Sequence, residues 1–473
     1  MHMWVSGKNP SSNCLRVLPV IILYDNSGVS ARRTRFELNF QPPPIFRSHQ
    51  PSARMKFPHL LLLLLFAIPA QAQDTVIRAG TIIHPQDGSV SIDQKITVTN
   101  GRITAIEDWS GSMDDSVTDL SDRFVMTGLF DAHSHMALVV DKRYDGGNYY
   151  VTGLLNPTAY RAVQGVANAR NMLESGFTVI RDIGNNGNYA DVAIKKGIDE
   201  GFIPGPHMET SGRIIAPFGA QFHLQPEKPG LGNPEYFFAD GVVEIMKAVR
   251  ENLHFGATFI KLVIDDQRYI YSVEEIRTAV REAELAGTYV SAHCWTEQGA
   301  RNAIAAGVRS IEHGPNMPDE VLQMAKDAGV FLVGTEFTTA GLAWADPTAD
   351  ISAFEAEHLQ FVDRLRRAYA LDLKIVYGSD AVFFDAEKGR AYESFDVLHS
   401  WREAGVSNAD QLKAMTSTAA DLMGMSDERG ALAVGLRADI IAMPANPLDD
   451  TNALYNIDYV MKDGTVYRHP GSH

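Results

Sequence analysis

Six side chains that could build a metal centre each stand at or near the end of a short β-like run, and this order constrains the fold more than any other feature. The six are His133, His135, Lys261, His293, His313 and Asp380. Helical stretches follow most of these runs, which is typical of repeated βα units in a parallel sheet. In a βα barrel the carboxyl ends of all strands emerge on one face, where active sites lie. The pattern therefore predicts that these distant residues surround one point and form the site of a metal-dependent hydrolase.

Each of these residues taken alone also has a purely structural interpretation. His133 and His135 share one face of a strand because strand side chains alternate, but an H-x-H pair can also be two unrelated histidines. Asp380 in Gly-Ser-Asp is typical of a helix N-cap or a turn. Lys261 lies inside Phe-Ile-Lys-Leu-Val, where a charged amine is costly to bury unless it reaches solvent. The ordered combination, rather than any single residue, favours a shared metal site.

The hydrophobic pattern predicts an α/β fold built around eight strands. The strand candidates are Leu129–His133, Thr178–Asp182, His207–Gly212, Phe259–Val263, Tyr289–His293, Ser310–His313, Phe331–Thr335 and Ile375–Gly378. Amphipathic stretches such as Thr158–Ser175 separate several of them, as expected for helices. Eight strands with intervening helices agree with a TIM-like (β/α)8 barrel, which usually needs ~250 residues. The segment from Ala216 to Asp240, rich in Pro and Gly, is long for a βα connection and is a candidate substrate lid.

Both ends of the globular part are rich in short strands. Asn100-Gly101 between alternating runs is a strong hairpin signal, and Asp463-Gly464 marks a similar turn near the C-terminus. We therefore expect the two ends to pair into one small β-sandwich domain. The predicted domain boundaries are 73–127 and 428–473 for the two parts of the β-sandwich and 128–427 for the barrel.

The first 72 residues are predicted to lie outside the folded domain. A basic Arg-Met-Lys start precedes the unbroken apolar run Leu60–Ile68, and the Ala-Gln-Ala of residues 70–72 follows it. Such a segment, here residues 55–72, is typical of a secretory signal peptide that is cleaved, in this case before Gln73. The apolar run is too short to span a bilayer, which needs roughly 20 residues. Residues 1–54 are then a disordered extension or a mis-assigned start, and the protein is exported to the periplasm or secreted.

The charge of residues 73–473 excludes some classes of partner. These residues hold 34 Lys and Arg against 56 Asp and Glu, a net charge of −22. Such a surface repels nucleic acid and anionic membranes, so we expect neither as a partner once the signal is cleaved. Of the two cysteines only Cys294 lies in this part, so no internal disulfide framework is available.

The sequence resembles the amidohydrolase superfamily over residues 75–470. The ordered set of H-x-H, lysine, histidine, histidine and aspartate is the binuclear-metal pattern of that superfamily, and Gly435–Asp439 is similar to its return from the barrel to the β domain. The stretches Glu174–Asp182, Ala292–Cys294 and Ser310–Gly314 resemble the imidazolonepropionase-like branch. That branch contains Xaa-Pro dipeptidases, related carboxypeptidases and ochratoxin-hydrolysing amidohydrolases.

The resemblance implies a role for each of the six residues. The H-x-H pair and Asp380 would bind a first divalent metal, and His293 and His313 a second. Lys261 would bridge both as N6-carboxylysine. Neutral imidazole and carboxylate donors suit zinc, although manganese and cobalt also fit. A hydroxide bridging the metals would be the nucleophile, since metal binding lowers the pKa of water to about 7, and Asp380 would be the catalytic acid and base.

The pattern says less about the residues that bind the substrate. Many members of this branch carry Gly-Gly-His-Gly after strand 3, whereas this chain reads APFGAQFH over residues 216–223, so His223 either replaces that histidine or is a loop histidine. Branch members hold a substrate carboxylate with a cationic or phenolic group. Arg268, Tyr269 and Tyr271 in the loop after strand 4 are the candidates, and a solvated loop with an anchoring tyrosine is the alternative.

These features together predict a binuclear-metal amidohydrolase of small-molecule amides. The substrate would be a dipeptide or an N-acyl amino acid, extending to ochratoxin-like arylamides. The segment Tyr144–Tyr150 either walls an aromatic acyl pocket or is an exposed loop. Two alternatives stay open: a cyclic-amide or lactone hydrolase with the same metal site, and an inactive amidohydrolase-fold binding protein. The resemblance also implies a homo-oligomer, with an octamer among its candidate states.

Overall fold

The computed structural model describes residues 74–114, 116–341, 351–383 and 387–471. Residues 1–54 and the predicted signal peptide of residues 55–72 lie outside the described residues, so their assignments stay predictions. In the described part of the chain, no helix combines the length and the apolar character that a membrane span needs.

Strands from both ends of the described chain lie side by side in one sheet. They are β1 Thr75–His84, β2 Ser89–Thr99, β3 Arg102–Asp108, β4 Val117–Thr127, β15 Ile440–Met443, β16 Tyr459–Lys462 and β17 Thr465–Arg468. Their order is β17-β16-β15-β4-β1-β2-β3, and only β1 and β4 run parallel. The two ends pair directly, with Thr127 opposite Ile440. A second layer, as in a sandwich, stays a prediction.

The small sheet is held by turns and by apolar side chains from both ends. The hairpin predicted at Asn100-Gly101 joins β2 to β3, and both residues have positive φ, as a tight primed turn requires. Ile77 and Ile82 share one buried cluster with Ile440 and other residues of the C-terminal strands. Because that cluster needs side chains from both ends, neither end could bury its apolar face alone.

Ten further strands form two parallel sheets. They are β5 Leu129–Ser134, β6 Phe177–Asp182, β7 His207–Thr210, β8 Ile214–Ala216, β9 Tyr236–Phe238, β10 Ile260–Val263, β11 Val290–Cys294, β12 Ser310–His313, β13 Phe331–Val333 and β14 Ile375–Val376. One sheet has the order β14-β13-β12-β11-β10-β8-β9, and the other has the order β5-β6-β7. Each of the eight predicted strands overlaps one of these. The short strands β8 and β9 were not predicted, and β9 lies inside the segment assigned to a lid.

Helices follow or separate most of the parallel strands. Their bounds are α1 Lys142–Asp145, α2 Tyr149–Leu155, α3 Thr158–Glu174, α4 Ala190–Asp199, α5 Val242–His254, α6 Val273–Leu285, α7 Glu297–Ala306, α8 Asp319–Asp327, α9 Ile351–Ala370, α10 Gly389–Asp396, α11 Leu398–Glu403, α12 Asn408–Ala414 and α13 Ser417–Leu422. The start of α6 shows why these helices begin where they do. Ser272 accepts a hydrogen bond from Glu275 N while the Glu275 side chain accepts one from Ser272 N, a capping box that satisfies two free N–H groups.

Hydrogen bonds tie the two parallel sheets together beside the predicted site. Asp380 N donates to His133 O at 2.8 Å, which joins the residues after β14 to β5. The buried carboxylate of Asp131 accepts from Ser379 N at 3.0 Å and from Ser379 Oγ at 2.6 Å. These bonds place the last predicted ligand of the chain next to the first.

A buried ion pair fastens two helices behind this face of the sheets. Glu336, which follows β13, accepts from Arg364 Nη1 of α9 at 2.6 Å and from Trp401 Nε1 of α11 at 2.7 Å. All three side chains are fully buried. A buried charge is tolerated only when it is paired, so the position of both helices depends on this carboxylate.

Glu336→Ala should destabilise the fold by about 3–5 kcal/mol, because Arg364 would stay buried without its partner. The control is Glu297→Ala, which removes an exposed i,i+4 partner of Arg301 and should cost about 0.3–0.5 kcal/mol. Chemical denaturation followed by circular dichroism measures both losses. A loss for Glu336→Ala as small as that of the control would show that the ion pair does not hold the two helices.

Candidate metal centre

All six predicted site residues line one cavity of about 230 Å³. His133 lies on β5 and His135 directly follows it, Lys261 lies on β10, His293 on β11 and His313 on β12, and Asp380 follows β14. Five of the six lie at or just beyond the carboxyl ends of parallel strands. Lys261 is the exception, because it lies two residues before the last residue of β10. The alternation of β10 puts Lys261 on the same side as Val263, which also lines the cavity.

The carboxylate of Asp380 lies among three imidazoles. Its Oδ1 is 3.0 Å from His135 Nε2 and 3.7 Å from His133 Nε2, and its Oδ2 is 3.8 Å from His313 Nδ1. One ligand atom each of His133, His135 and Asp380 lies within 4.8 Å of the others. The ring of His293 lies beside that of His313, with 4.6 Å between centroids. The donors are therefore spaced closely enough to share cations.

Lys261 is the unusual member of the set. Its side chain is buried, and its Nζ has no hydrogen-bond partner among the described residues. Burial lowers the pKa of Lys261 to about 8, although the carboxylate of Glu312 opposes this change. A buried amine with a lowered pKa and no partner is poorly explained as a structural group. It does fit an amine that becomes carboxylated and then binds metal.

Partners outside the cavity orient the imidazoles. His133 Nδ1 donates to Glu312 Oε2 at 2.8 Å, and His135 Nδ1 donates to Gly184 O at 2.8 Å. His313 Nδ1 lies 2.7 Å from Thr335 Oγ1. A hydrogen bond at one ring nitrogen fixes the tautomer and leaves the other nitrogen free to bind metal.

The electrostatics of the cluster keep the imidazoles of His133 and His313 neutral and Glu312 ionised, whereas the carboxylate of Asp380 outweighs burial at His135 and raises its pKa. Burial lowers the pKa of His133 to about 4 and that of His313 well below its ordinary value. Burial alone would raise the pKa of Glu312, but the guanidinium of Arg181 at 2.8 Å and the contact with His133 outweigh it, so this pKa is lowered. Neutral imidazoles are the form that binds metal, and the ionised Glu312 supports one of them.

The backbone is strained where the ligands converge. His313 and Asp380 have φ values of 65° and 50°, in the left-handed region that non-glycine residues rarely adopt. At Gly378, a Cβ would lie 2.6 Å from His133 Cβ, so only glycine allows β5 and the residues after β14 to approach this closely. Such strain persists only where the surrounding structure holds it, which is common at functional sites.

A second acidic group lies on the other side of His293. Asp266 Oδ1 is 2.9 Å from His293 Nε2, and ligand atoms of Asp265, Asp266 and His293 lie within 4.8 Å of one another. Asp265 accepts from Trp295 N at 2.8 Å and from Thr296 N at 2.7 Å, so it holds the backbone of the loop before α7. Asp265 is therefore a structural residue, whereas Asp266 lies next to a predicted metal ligand.

The sequence model of the amidohydrolase family matches residues 124–467. This chain belongs to the amidohydrolase family. An ochratoxinase from Aspergillus niger is 26% identical to it over 452 residues, which cover 86% of this chain and 89% of that protein. An imidazolonepropionase from Symbiobacterium thermophilum is 25% identical over 415 residues, covering 80% of this chain and 89% of that protein.

A solved structure supports the same assignment. The crystal structure of a Xaa-Pro dipeptidase with methionine bound in its active site is 25% identical, with a TM-score of 0.73, and covers 84% of this chain and 100% of that one. The predicted superfamily and branch are thereby confirmed. The parallel sheets are those of a fold that resembles amidohydrolase barrels, and the protein is a hydrolase that acts on amide bonds.

The structure does not bring the four predicted substrate-binding residues of the amidohydrolase to the cavity wall. His223 is exposed, with its ring 5.9 Å from that of Tyr150, and Arg268 is exposed on a loop. Tyr269 is half exposed and donates to Glu275 Oε2. Tyr271 is fully buried because its ring joins the core, where its hydroxyl donates to Ala239 O at 2.5 Å. Tyr271 thus matches the alternative interpretation of this loop, in which a tyrosine anchors the loop to the core.

The segment Tyr144–Tyr150, for which the sequence left a pocket wall and an exposed loop open, contains both kinds of residue. Tyr149 lines the cavity, whereas Tyr144 is 75% exposed. Glu312 was missed as a support for His133, although it directly precedes His313 in the Ser-Ile-Glu-His-Gly stretch. Cys294 is buried in the core of the amidohydrolase, as its place in strand alternation predicts.

Glu312→Gln should lower the affinity for zinc about 10–100-fold, because losing the carboxylate partner of a metal-binding imidazole has this effect. Titration of the metal-free protein with zinc measures the affinity, and circular dichroism shows whether the variant is folded. Glu320→Gln on α8, where the side chain is 72% exposed, is the control and should bind zinc as the parent does. An unchanged affinity in folded Glu312→Gln would refute the supporting role.

Proposed function

We propose that this amidohydrolase uses two divalent cations, with zinc the best match, to hydrolyse the amide bond of a dipeptide or an N-acyl amino acid. The buried amine of Lys261 carries the proposal, since it has no hydrogen-bond partner among the described residues and shares one cavity with four imidazoles and Asp380. An ochratoxinase and a Xaa-Pro dipeptidase among the similar proteins favour this substrate class and extend it to ochratoxin-like arylamides.

The donor set fits the two cations. His133, His135 and Asp380 would hold one cation, and their ligand atoms already lie within 4.8 Å of one another. His293 and His313 would hold the other, with Lys261 as N6-carboxylysine between the two. Neutral imidazoles and carboxylate oxygens are ordinary zinc ligands.

Asp380 is placed to move the protons of the reaction. The bound cations would supply a water nucleophile that ionises near neutral pH and would polarise the scissile carbonyl. The Asp380 carboxylate faces the imidazoles of His133, His135 and His313, so it lies where the attacking water would be held. It would accept the proton of that water and deliver it to the leaving nitrogen, as one group acting first as base and then as acid.

We also propose how the two domains are built and that the protein forms an oligomer. Hydrogen bonds from Asp380 N to His133 O and from Ala132 N to Tyr377 O at 3.1 Å support closure of the parallel strands into a (β/α)8 barrel over residues 128–427. The shared sheet and core of the two chain ends support a β-sandwich formed from residues 73–127 and 428–473. We also propose a homo-oligomer, up to an octamer, from the family resemblance.

Lys261→Ala should reduce the metal content from about two ions per chain and abolish amide hydrolysis, because the bridging ligand is lost. Elemental analysis measures the metal, and release of free amino acid from Xaa-Pro, Xaa-Phe and N-acyl amino acids measures activity, with lactones assayed beside them. Lys247→Ala, on the exposed face of α5, is the control and should match the parent in both assays.

The outcomes of that experiment separate the alternatives. Added acetate should partly restore the activity of Lys261→Ala if a carboxylate at this place is what the cations need. Turnover of lactones without release of amino acid would replace the proposed reaction with that of a lactone hydrolase. A folded parent protein that binds no metal would instead indicate an inactive binding protein.

Export is proposed from the sequence of residues 55–72. When the full chain is expressed in a secreting bacterial host, the mature protein should begin at Gln73, because Ala70 and Ala72 form the cleavage site. N-terminal sequencing of the periplasmic fraction measures this. Ala72→Arg should block cleavage, and a mature chain that begins before Met55 would contradict the assignment.

A further inference from the structure

The part of the cavity wall that carries no predicted metal ligand is almost uncharged. Lys261 is the only lysine or arginine among the described lining residues. Away from the ligands, the wall is aliphatic or aromatic except for the neutral polar side chains of Tyr149, Asn185 and Gln221. We call these three residues the neutral wall.

The neutral wall is one hydrogen-bonded network. The hydroxyl of Tyr149 lies 3.2 Å from Asn185 Oδ1, 3.3 Å from Gln221 Oε1 and 3.0 Å from the hydroxyl of Tyr236, which also donates to Gln221. Burial raises the pKa of Tyr149 well above its ordinary value, and the nearby carboxylates of Glu235 and Asp266 raise it further. The phenol therefore stays neutral, and the local field disfavours a further negative charge.

Asn185 offers this network's free donor. Its Oδ1 accepts from Tyr149, while nothing among the described residues accepts from its Nδ2. Its backbone is left-handed, with φ of 57°, and its carbonyl accepts from the buried guanidinium of Arg161. The preceding carbonyl, of Gly184, accepts from His135. The amide is thus rigidly held beside a predicted metal ligand, with N–H groups free for an acceptor on a bound molecule.

Among the described residues, no lysine or arginine side chain lies at this wall to balance a substrate carboxylate. Arg268, the cationic residue that the sequence offered for that task, is exposed and does not line the cavity. Burying a carboxylate without a cationic partner is costly, whereas a carbonyl or amide needs only hydrogen bonds.

We propose that Tyr149, Asn185 and Gln221 form a specificity subsite for an uncharged hydrogen-bonding group. The amidohydrolase then prefers amides whose leaving amine carries a carboxamide rather than a free carboxylate. This inference rests on the proposed amide hydrolysis and extends its substrate class to N-acyl amino acid amides, amidated dipeptides and neutral arylamides, which become the preferred members. The neutral wall selects the substrate, while the histidines, Lys261 and Asp380 perform the hydrolysis.

A matched pair of substrates tests this preference. N-Benzoyl-L-phenylalanine and its primary carboxamide differ in one charge, and hydrolysis of the benzoyl amide of either releases benzoate, which chromatography quantifies with the zinc-loaded enzyme. We expect kcat/KM for the carboxamide to exceed that for the acid by about tenfold or more, because the acid would bury an unpaired carboxylate. A preference for the acid would overturn the inference, most clearly if Arg268→Ala abolished that preference.

Two substitutions of opposite charge make the test specific to the wall. Asn185→Asp adds a negative charge and should increase the preference for the carboxamide, whereas Gln221→Lys adds a cation and should shift the preference toward the acid. Arg268→Ala is the control and should leave the ratio of the two kcat/KM values unchanged. Metal content and circular dichroism must match the parent, because a merely structural role would reduce both activities without changing their ratio.

The result also separates this inference from the function on which it rests. If the zinc-loaded parent hydrolyses neither compound nor any other amide, the proposed function fails, and the inference fails with it. If it hydrolyses both compounds and the two charge substitutions leave their ratio unchanged, amide hydrolysis stands and the neutral wall does not select the substrate.

Discussion

The candidate site depends on the buried carboxylate of Asp131, which joins the two parallel sheets where the first and last predicted ligands meet. It accepts hydrogen bonds from Ser379 and from His133 N, so one side chain holds both β5 and the residues before Asp380. Burial raises the pKa of Asp131 to about 6, although these hydrogen bonds oppose the change. The bonds favour the ionised form, so the geometry of the ligands and the charge of this carboxylate depend on each other.

Buried carboxylates perform the same kind of task elsewhere behind the cavity. Glu312 links the guanidinium of Arg181 to the imidazole of His133 and also accepts from the hydroxyls of Ser291 and Ser310. Each of these groups would be costly to bury alone, and the network satisfies them together. A network of this kind fixes the direction in which His133 presents its free nitrogen. The precision of the candidate metal centre therefore comes from polar groups that never touch the cavity.

The six cavity residues were predictable because strand ends in repeated βα units share one face, so spacing along the chain records position in the fold. Their supports were not predictable in this way. Glu312 reaches His133 across 179 positions, and the carbonyl of Gly184 reaches His135 through a turn whose shape no periodicity reveals. The same limit applies to the loop after β10. Alternation does not continue through a loop, so nothing in its pattern shows that Tyr271 turns into the core.

The chain is strongly acidic, whereas its cavity contains few acidic groups. Residues 73–473 carry a net charge of −22, yet the cavity collects four imidazoles and a buried amine beside a single ligand carboxylate. Such a donor set is short of negative charge for the two proposed divalent cations, which is the physical reason to propose that Lys261 supplies one more as a carbamate. Even with that charge, the two proposed cations would outweigh their two anionic ligands. Selection against a substrate carboxylate is therefore assigned to the wall formed by Tyr149, Asn185 and Gln221, where no described lysine or arginine lies.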